Sequence, residues 1–279
     1  MAKINWFPGH MAKALRDMAE EVKKVDMVIY VLDSRAPKSS VNPEFITIIG
    51  DKPILYVLNK ADMVEESDLN VFKQYFKKEN TEVIELNSTL SGAIKKIEPI
   101  MVRLCKDKLE KYRAKGFKIN LRAMVLGIPN SGKSTLINNL CGVKKAITGD
   151  KAGVTRGKQW LSLKNGFEVL DTPGTLWPNI TNQQMAQNLA FIGSIRNEVV
   201  DMGEIAVDLL NYLKKHHFDK LLAKYQIKDK TLTPIEMLDY IAGVKHYVLK
   251  GGEPDYDRTC FAIVDDFRKG KLGKICLDK

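Results

Sequence analysis

The segment Gly127-Ile128-Pro129-Asn130-Ser131-Gly132-Lys133-Ser134 constrains this chain more than any other. Glycine, four residues, then Gly-Lys-Ser is the pattern of a loop whose backbone amides close around phosphate groups. Such a loop needs a strand before it and a helix after it, because the helix presents its positive N-terminal end to the anion. The apolar run at 123–126 and the helical pattern beyond 133 supply both. Lys133 is placed to reach the β- and γ-phosphates and Ser134 to ligate Mg²⁺. Asn130, Ser131, Gly132 and Thr135 complete the expected phosphate contacts.

The second constraint lies about seventy residues upstream. Asn59-Lys60-Ala61-Asp62 directly follows an apolar run at 54–58. Asp62 can accept two hydrogen bonds from the N1–H and exocyclic amine of guanine. Adenine offers neither and would leave the carboxylate unpaired. Asn59 is expected on the N7/O6 side, with the Lys60 stem over the ring. Asn87-Ser88-Thr89, after the run at 83–86, stands where a last guanine contact belongs, with Asn87 and Ser88 at the site and the Ser88 and Thr89 amides facing guanine O6. An ordinary turn before the next helix fits those three residues as well. Asp171-Thr172-Pro173-Gly174 follows the run at 167–170. Asp171 would hold Mg²⁺ through a water, and the Gly174 amide would meet the γ-phosphate. Thr155 is the candidate for a further Mg²⁺ contact that closes only when that phosphate is present. GTPases ordinarily run phosphate loop, switches, then base motif. Here the base motif comes first, so the order is circularly permuted.

Apolar runs alternate with helix-length segments from residue 27 to 171, including 67–78 and 91–115. That rhythm predicts a mainly parallel sheet covered on both faces, with every motif at a strand's C-terminal end. Met11, Leu15, Met18, Val22 and Val25 form an apolar stripe on a leading helix. Beyond Trp177-Pro178 the chain reads as helices. Ile205, Leu209 and Leu213 make one apolar face, and Ile235, Leu238, Ile241 and Val248 another. A last helix covers about 256–267, followed by a flexible basic tail at 269–274. The expected fold is α/β: a circularly permuted P-loop GTPase domain over 1–179, then an all-helical domain over 180–279.

The net charge of +10 is unevenly spread. Residues 95–122 hold 10 basic and 3 acidic side chains, while residues 1–94 hold 12 and 14. A clustered basic surface attracts polyanions such as RNA, although a solvated helix face reads the same way. The RNA contacts expected here are Lys108, Lys111 and Lys115, with Lys269, Lys271 and Lys274 in the tail. The four cysteines are scattered without zinc or disulfide spacing, which predicts a reducing compartment. Without an apolar leader or a membrane-length run, a cytoplasmic protein is expected.

The motif order resembles the circularly permuted GTPases. Trp6-Phe7-Pro8-Gly9-His10-Met11, Asp33-Ser34-Arg35-Ala36-Pro37 and the helical last hundred residues narrow the resemblance to the ribosome biogenesis GTPase A family, over essentially the whole chain. The resemblance implies a bacterial factor in late maturation of the large ribosomal subunit, which binds rRNA and leaves after GTP hydrolysis. A monomer off the ribosome is expected. Thr175 stands where many GTPases carry a water-orienting glutamine. His10 is then the candidate catalytic residue, unless it only caps or packs the first helix. Asn130 implies a K⁺ ion bridging the phosphates, unless it bonds only within its own loop. A switch at Asp171 joined to the helices through Trp177-Pro178 would tilt them as the nucleotide changes. The competing reading is a GTP-gated RNA-binding module with incidental hydrolysis.

Overall fold

A computed structural model describes residues 9–116, 120–142, 159–163 and 167–278. Trp6, Phe7, Pro8 and Thr155 therefore lie outside the described residues. The sheet runs β3-β2-β1-β4-β6-β5, with β1 at Met27–Asp33, β2 at Ile54–Asn59, β3 at Thr81–Leu86, β4 at Arg122–Leu126, β5 at Gln159–Ser162 and β6 at Glu168–Asp171. All neighbours are parallel except β5 on β6.

Both faces are covered, so β1 is apolar without alternation and buried throughout. Met27, Ile29 and Val31 point into one cluster with α4 (Ala93–Leu104), α5 (Lys106–Ala114) and α6 (Lys133–Cys141). Val28, Tyr30 and Leu32 point into the other. That second cluster is closed by α1 (Gly9–Glu21), α2 (Pro43–Ile49) and α3 (Glu66–Phe76). Met18 and Val22 of the leading stripe are buried there, as their spacing predicts. The segment expected as one helix over 91–115 bends at Cys105, whose φ of −108° and ψ of 19° leave the helical well. There the buried Cys105 packs with Leu109 against the sheet.

The helical region contains α7 (Gln183–Phe191), α8 (Met202–His216), α9 (Phe218–Tyr225), α10 (Pro234–Val244) and α11 (Tyr256–Arg268). Side-chain caps start four of them: Asn182 on the Met185 amide, Asp201 on Gly203 and Glu204, Thr233 with Glu236 as a capping box, and Asp255 on Arg258. Ile205, Leu209 and Leu213 are buried as expected. Leu238 and Ile241 are buried too, but Ile235 and Val248 are about half exposed. Ile235 sits in the first turn of α10, and Val248 lies beyond its end in a bridge to Pro254.

The core of this region also holds Met11, Ala36, Ile128, Leu176 and Trp177. Apolar packing therefore runs without interruption from α1 and the segment after β4 into the helices. The expected flexible tail is instead a strap laid back across the base-motif side. Leu272, Ile275, Cys276 and Leu277 are buried. The Ile275 amide donates to the Met63 carbonyl at 3.0 Å and the Leu277 amide to the Arg35 carbonyl at 2.7 Å. Lys269, Lys271 and Lys274 pair with Asp265, Asp266 and Glu65. Four buried apolar side chains and two backbone bonds outweigh the polar composition that made this segment read as a tail.

Candidate guanine-nucleotide site

The strand order undoes the permutation in space. Asp33 lies opposite Asn59, and Asn59 opposite Leu86, so the ends of β1, β2 and β3 stand side by side. On the other flank Tyr30 pairs with Leu126, and Val125 pairs with Asp171. The base motif, Asp33, the phosphate loop and the Asp171 switch thus form one row along the C-terminal sheet edge. The strand order reverses between β1 and β4, where ligands of open α/β sheets bind.

The loop from Gly127 to Gly132 is folded by close approach. A β-carbon on Gly127 would lie 2.5 Å from the Val31 carbonyl oxygen, at a φ of +156°. One on Gly132, at φ +96°, would collide with Asn59 Nδ2. Asn59 is buried and commits both ends of its carboxamide. Nδ2 donates to the Ser131 carbonyl at 2.8 Å, and Oδ1 accepts from the Ser88 amide at 3.0 Å. The sequence assigns Asn59 to the base edge; the structure makes it a strut between the phosphate loop and the turn after β3. Asn87 Oδ1 accepts from the Thr89 amide and hydroxyl, which forms that turn. Lys60 takes a left-handed φ of +59°. Its Nζ donates to Asp33 Oδ2 and to the Asn130 carbonyl, both at 2.8 Å. The stem therefore spans from β2 to the phosphate loop, as a cover over a purine requires. Asp62 is exposed beside it, on the 3-10 turn Ala61–Met63.

Asp33 also accepts from Arg35, whose Nε reaches Oδ1 at 2.9 Å and Nη2 reaches Oδ2 at 2.7 Å. Burial alone would raise the Asp33 carboxyl, but Arg35 and Lys60 outweigh it and hold it well below the ordinary carboxylate range.

The phosphate side is arranged differently. Lys133 is buried on the first turn of α6, and its Nζ donates to the Ile128 carbonyl at 2.9 Å. Burial pushes its ammonium down to about 8, with Asp171 acting against the shift. Burial pushes Asp171 up to about 6, against the pull of Lys133 and the Thr172 amide. A β-carbon on Gly174 would sit 2.7 Å from Lys133 Nζ and 2.8 Å from Pro129 Cα, so the switch glycine presses directly on the loop. Asp171 Oδ1 and Ser131 Oγ are buried without a hydrogen-bond partner. Together with the Ser134 hydroxyl on α6, Asp171 offers the hard oxygen donors that suit Mg²⁺. Among the described residues no group of three His, Cys, Asp or Glu could hold a metal. Ser134 and Thr135 occupy the first turn of α6 behind Lys133.

Two contacts could not be foreseen from sequence. Asn130 Nδ2 donates to the Gly193 carbonyl at 2.6 Å, and Ser194 Oγ donates to the Pro129 carbonyl at 2.8 Å. The turn after α7 thus braces the phosphate loop, and Asn130 bonds outside its own loop. Nothing local in Gly193-Ser194 marks this role, since it depends on docking across the chain. His10 is exposed on the first turn of α1, next to Met11, which is buried beside Ile128 and Leu176. Thr175 is buried, with its carbonyl accepting from Asn42 Nδ2 at 3.2 Å.

A family model described as 50S ribosome-binding GTPase matches residues 122–238. Ribosome biogenesis GTPase A of Bacillus cereus is 39% identical over 276 residues, spanning 99% of this chain and 93% of its own. The chain belongs to the ribosome biogenesis GTPase A family. The Thermotoga maritima member is 30% identical over 278 residues, spanning 99% of this chain and 94% of its own. The crystal structure of GNP-bound YlqF from T. maritima superposes with a TM-score of 0.65 at 26% identity, covering 96% of this chain and 98% of that one. The row of loops described above is the candidate nucleotide site of this ribosome biogenesis GTPase.

The cationic surface is partly neutralised. Lys108 pairs with Asp26, Arg103 with Glu82, and Lys106 with Glu110. Lys111 and Lys115 are exposed and have no acidic partner among the described residues. No helix among the described residues is long and apolar enough to cross a membrane.

Proposed function

We propose that this GTPase binds GTP with Mg²⁺ and acts as a timing factor late in assembly of the large ribosomal subunit in the cytoplasm. It grips rRNA in one nucleotide state and is released in the other. The observation that carries this reading is the single row of Lys60, Asp33, the phosphate loop and Asp171 along the sheet edge. In it, Asp62 selects guanine, and the Asn87-Ser88 turn meets the base edge. Lys133 and the Gly174 amide hold the γ-phosphate. Ser134, Asp171 (through a water) and Thr155 would hold Mg²⁺, which would polarise the phosphates.

Thr175 is buried and lacks the carboxamide of a water-orienting glutamine, so turnover is slow in the isolated monomer and faster on the ribosomal particle. His10 supplies the missing group. Its exposed imidazole sits at the start of α1, whose next residue, Met11, is buried in the same core cluster as Ile128 and Leu176. Asn130, whose side-chain nitrogen donates to the Gly193 carbonyl, would hold K⁺ near the phosphates. Lys111 and Lys115 meet rRNA phosphates. Lys108, Lys269, Lys271 and Lys274 are charge-paired in the free protein and would have to exchange partners to do so.

The buried Thr175 equally favours a second reading, in which the nucleotide gates RNA affinity and hydrolysis is incidental. GTP turnover in potassium and sodium buffers of equal ionic strength, with and without large subunits, separates the two. Strong stimulation by the subunit that is lost in His10→Ala supports the enzyme. GTP-dependent binding without stimulation supports the gated module.

A further inference from the structure

Arg35 and Arg268 stand outside the nucleotide loops, and no step described above uses Arg268. Arg268, at the last residue of α11, spends its guanidinium on the end of α7. Nε donates to the Phe191 carbonyl at 3.1 Å, Nη2 to the Ala190 carbonyl at 2.8 Å and Nη1 to Asn197 Oδ1 at 2.8 Å. A cation at a helix C-terminus donates to the last carbonyls and is favoured by the negative end of the helix dipole. The helix closes with the Ser194 amide on the Leu189 carbonyl and the Gly193 amide on the Ala190 carbonyl. Gly193 takes a φ of +80°, and a β-carbon there would lie 3.1 Å from Arg268 Nε. This closure aims the Gly193 carbonyl and the Ser194 hydroxyl at Asn130 and Pro129 of the phosphate loop.

The same loop is held from its other side. The Asn130 carbonyl accepts from Lys60, Lys60 donates to Asp33, and Asp33 is forked by Arg35. Arg35 Nη1 then donates to the Arg268 carbonyl at 3.1 Å, and its guanidinium lies 5.4 Å from the Phe267 ring centroid. The contacts form a closed ring: phosphate loop, Lys60, Asp33, Arg35, Arg268, the end of α7, and back to the phosphate loop. It contains no residue of the Asp171 switch.

We propose that Arg35 and Arg268 are positioning residues of the nucleotide site, closing this ring so that the guanine and phosphate loops and the end of α7 are held as one unit. A nucleotide seated between Lys60 and the phosphate loop then stiffens the turn after α7. By reciprocity, the placement of that turn sets nucleotide affinity. The helical region learns of nucleotide through the base side and the loop floor as well as through the switch.

The inference rests on the nucleotide-site reading, and the experiment separates the two. Affinity for fluorescent GDP and for a non-hydrolysable GTP analogue is measured for the full chain, for Arg268→Lys, for Ser194→Ala and for the double variant. Thermal unfolding and hydrogen exchange over residues 188–199 are followed in parallel, with and without GDP. Each single variant should weaken binding by about fivefold to tenfold, the scale of one hydrogen bond in a closed site. The double variant should be no weaker than the worse single, because both break the same ring. GDP-induced protection at 188–199 should vanish. Affinities within twofold of the parent would overturn the inference, as would additive losses with protection retained. Both outcomes leave the site reading intact. A parent chain that bound no guanine nucleotide would remove the site reading and the inference together. Should Arg268→Lys fail to fold, Ser194→Ala decides alone, since it removes a single hydroxyl.

Discussion

The two sides of the candidate nucleotide site differ in how their charged and carboxamide groups are paired. On the guanine side, Asp33, Asn59 and Lys60 commit their polar atoms to partners at 2.7–3.0 Å. On the phosphate side, Ser131 Oγ and Asp171 Oδ1 are buried without partners, and Lys133 is shifted down by burial. A satisfied network fixes a shape in advance, while unsatisfied groups gain most when a ligand arrives. The guanine side should therefore matter for stability, and the phosphate side for binding energy and chemistry.

Lys133→Met should break that contrast most sharply. Hydrolysis should fall by at least about a hundredfold, the scale of a lost charge-assisted phosphate contact. Thermal stability should hold or rise, because a buried ammonium at a cost is replaced by an apolar side chain. A loss of stability equal to that of a guanine-side variant would refute the contrast. Asp33→Ala is the opposite case. It leaves Arg35 buried without its carboxylate, and unfolding free energy should drop by about 3–5 kcal/mol. Denaturant titration reads this directly.

The strands were legible because both faces of the sheet are covered, so each reads as an apolar run bounded by a motif. The motifs were legible because phosphate cradling and guanine selection each demand particular residues at fixed spacing. What escaped was every contact whose two halves are far apart in sequence. Ser194 on Pro129 and Arg268 on Ala190 leave no local pattern. The strap was misread for the same reason: Lys269-Gly270-Lys271 is polar, yet Leu272, Ile275 and Leu277 find a core that only the folded chain supplies. β5, a short antiparallel edge strand whose Trp160 is partly exposed, carried no apolar run to mark it.

Asp62→Asn should sharpen the guanine side alone. Discrimination for GTP over xanthosine triphosphate should fall by about a hundredfold or invert, since the amide now offers a donor where guanine also donates. Competition binding measures it, and unfolding should be unchanged. Arg35→Met should move the acid limb of the stability curve. Asp33 is held below its unfolded value, so its contribution is present above about pH 4 and is lost as pH falls through its lower folded value. Removing Arg35 raises that folded value, so the acid-dependent loss should be smaller and complete at a higher pH. An acid limb unchanged from the parent would show that Lys60 alone sets it. The smallest effect is expected outside the comparison: Lys111→Gln with Lys115→Gln should reduce the salt slope of ribosomal-particle binding by about one to two and leave GDP affinity unchanged.

The order β3-β2-β1-β4 also bears on synthesis. When the first ninety or so residues have emerged from the exit tunnel, three strands and the base motif exist, but β1 still has one bare edge. Val28 must wait for Met124 before the sheet can continue, and Asn59 must wait for Ser131. A nascent chain at that stage carries the selector without the cradle. It can neither capture a nucleotide nor be stabilised by one, and it exposes a hydrogen-bonding strand until β4 arrives. In this order of parts, ligand capture waits until β4 and the loop after it have been made.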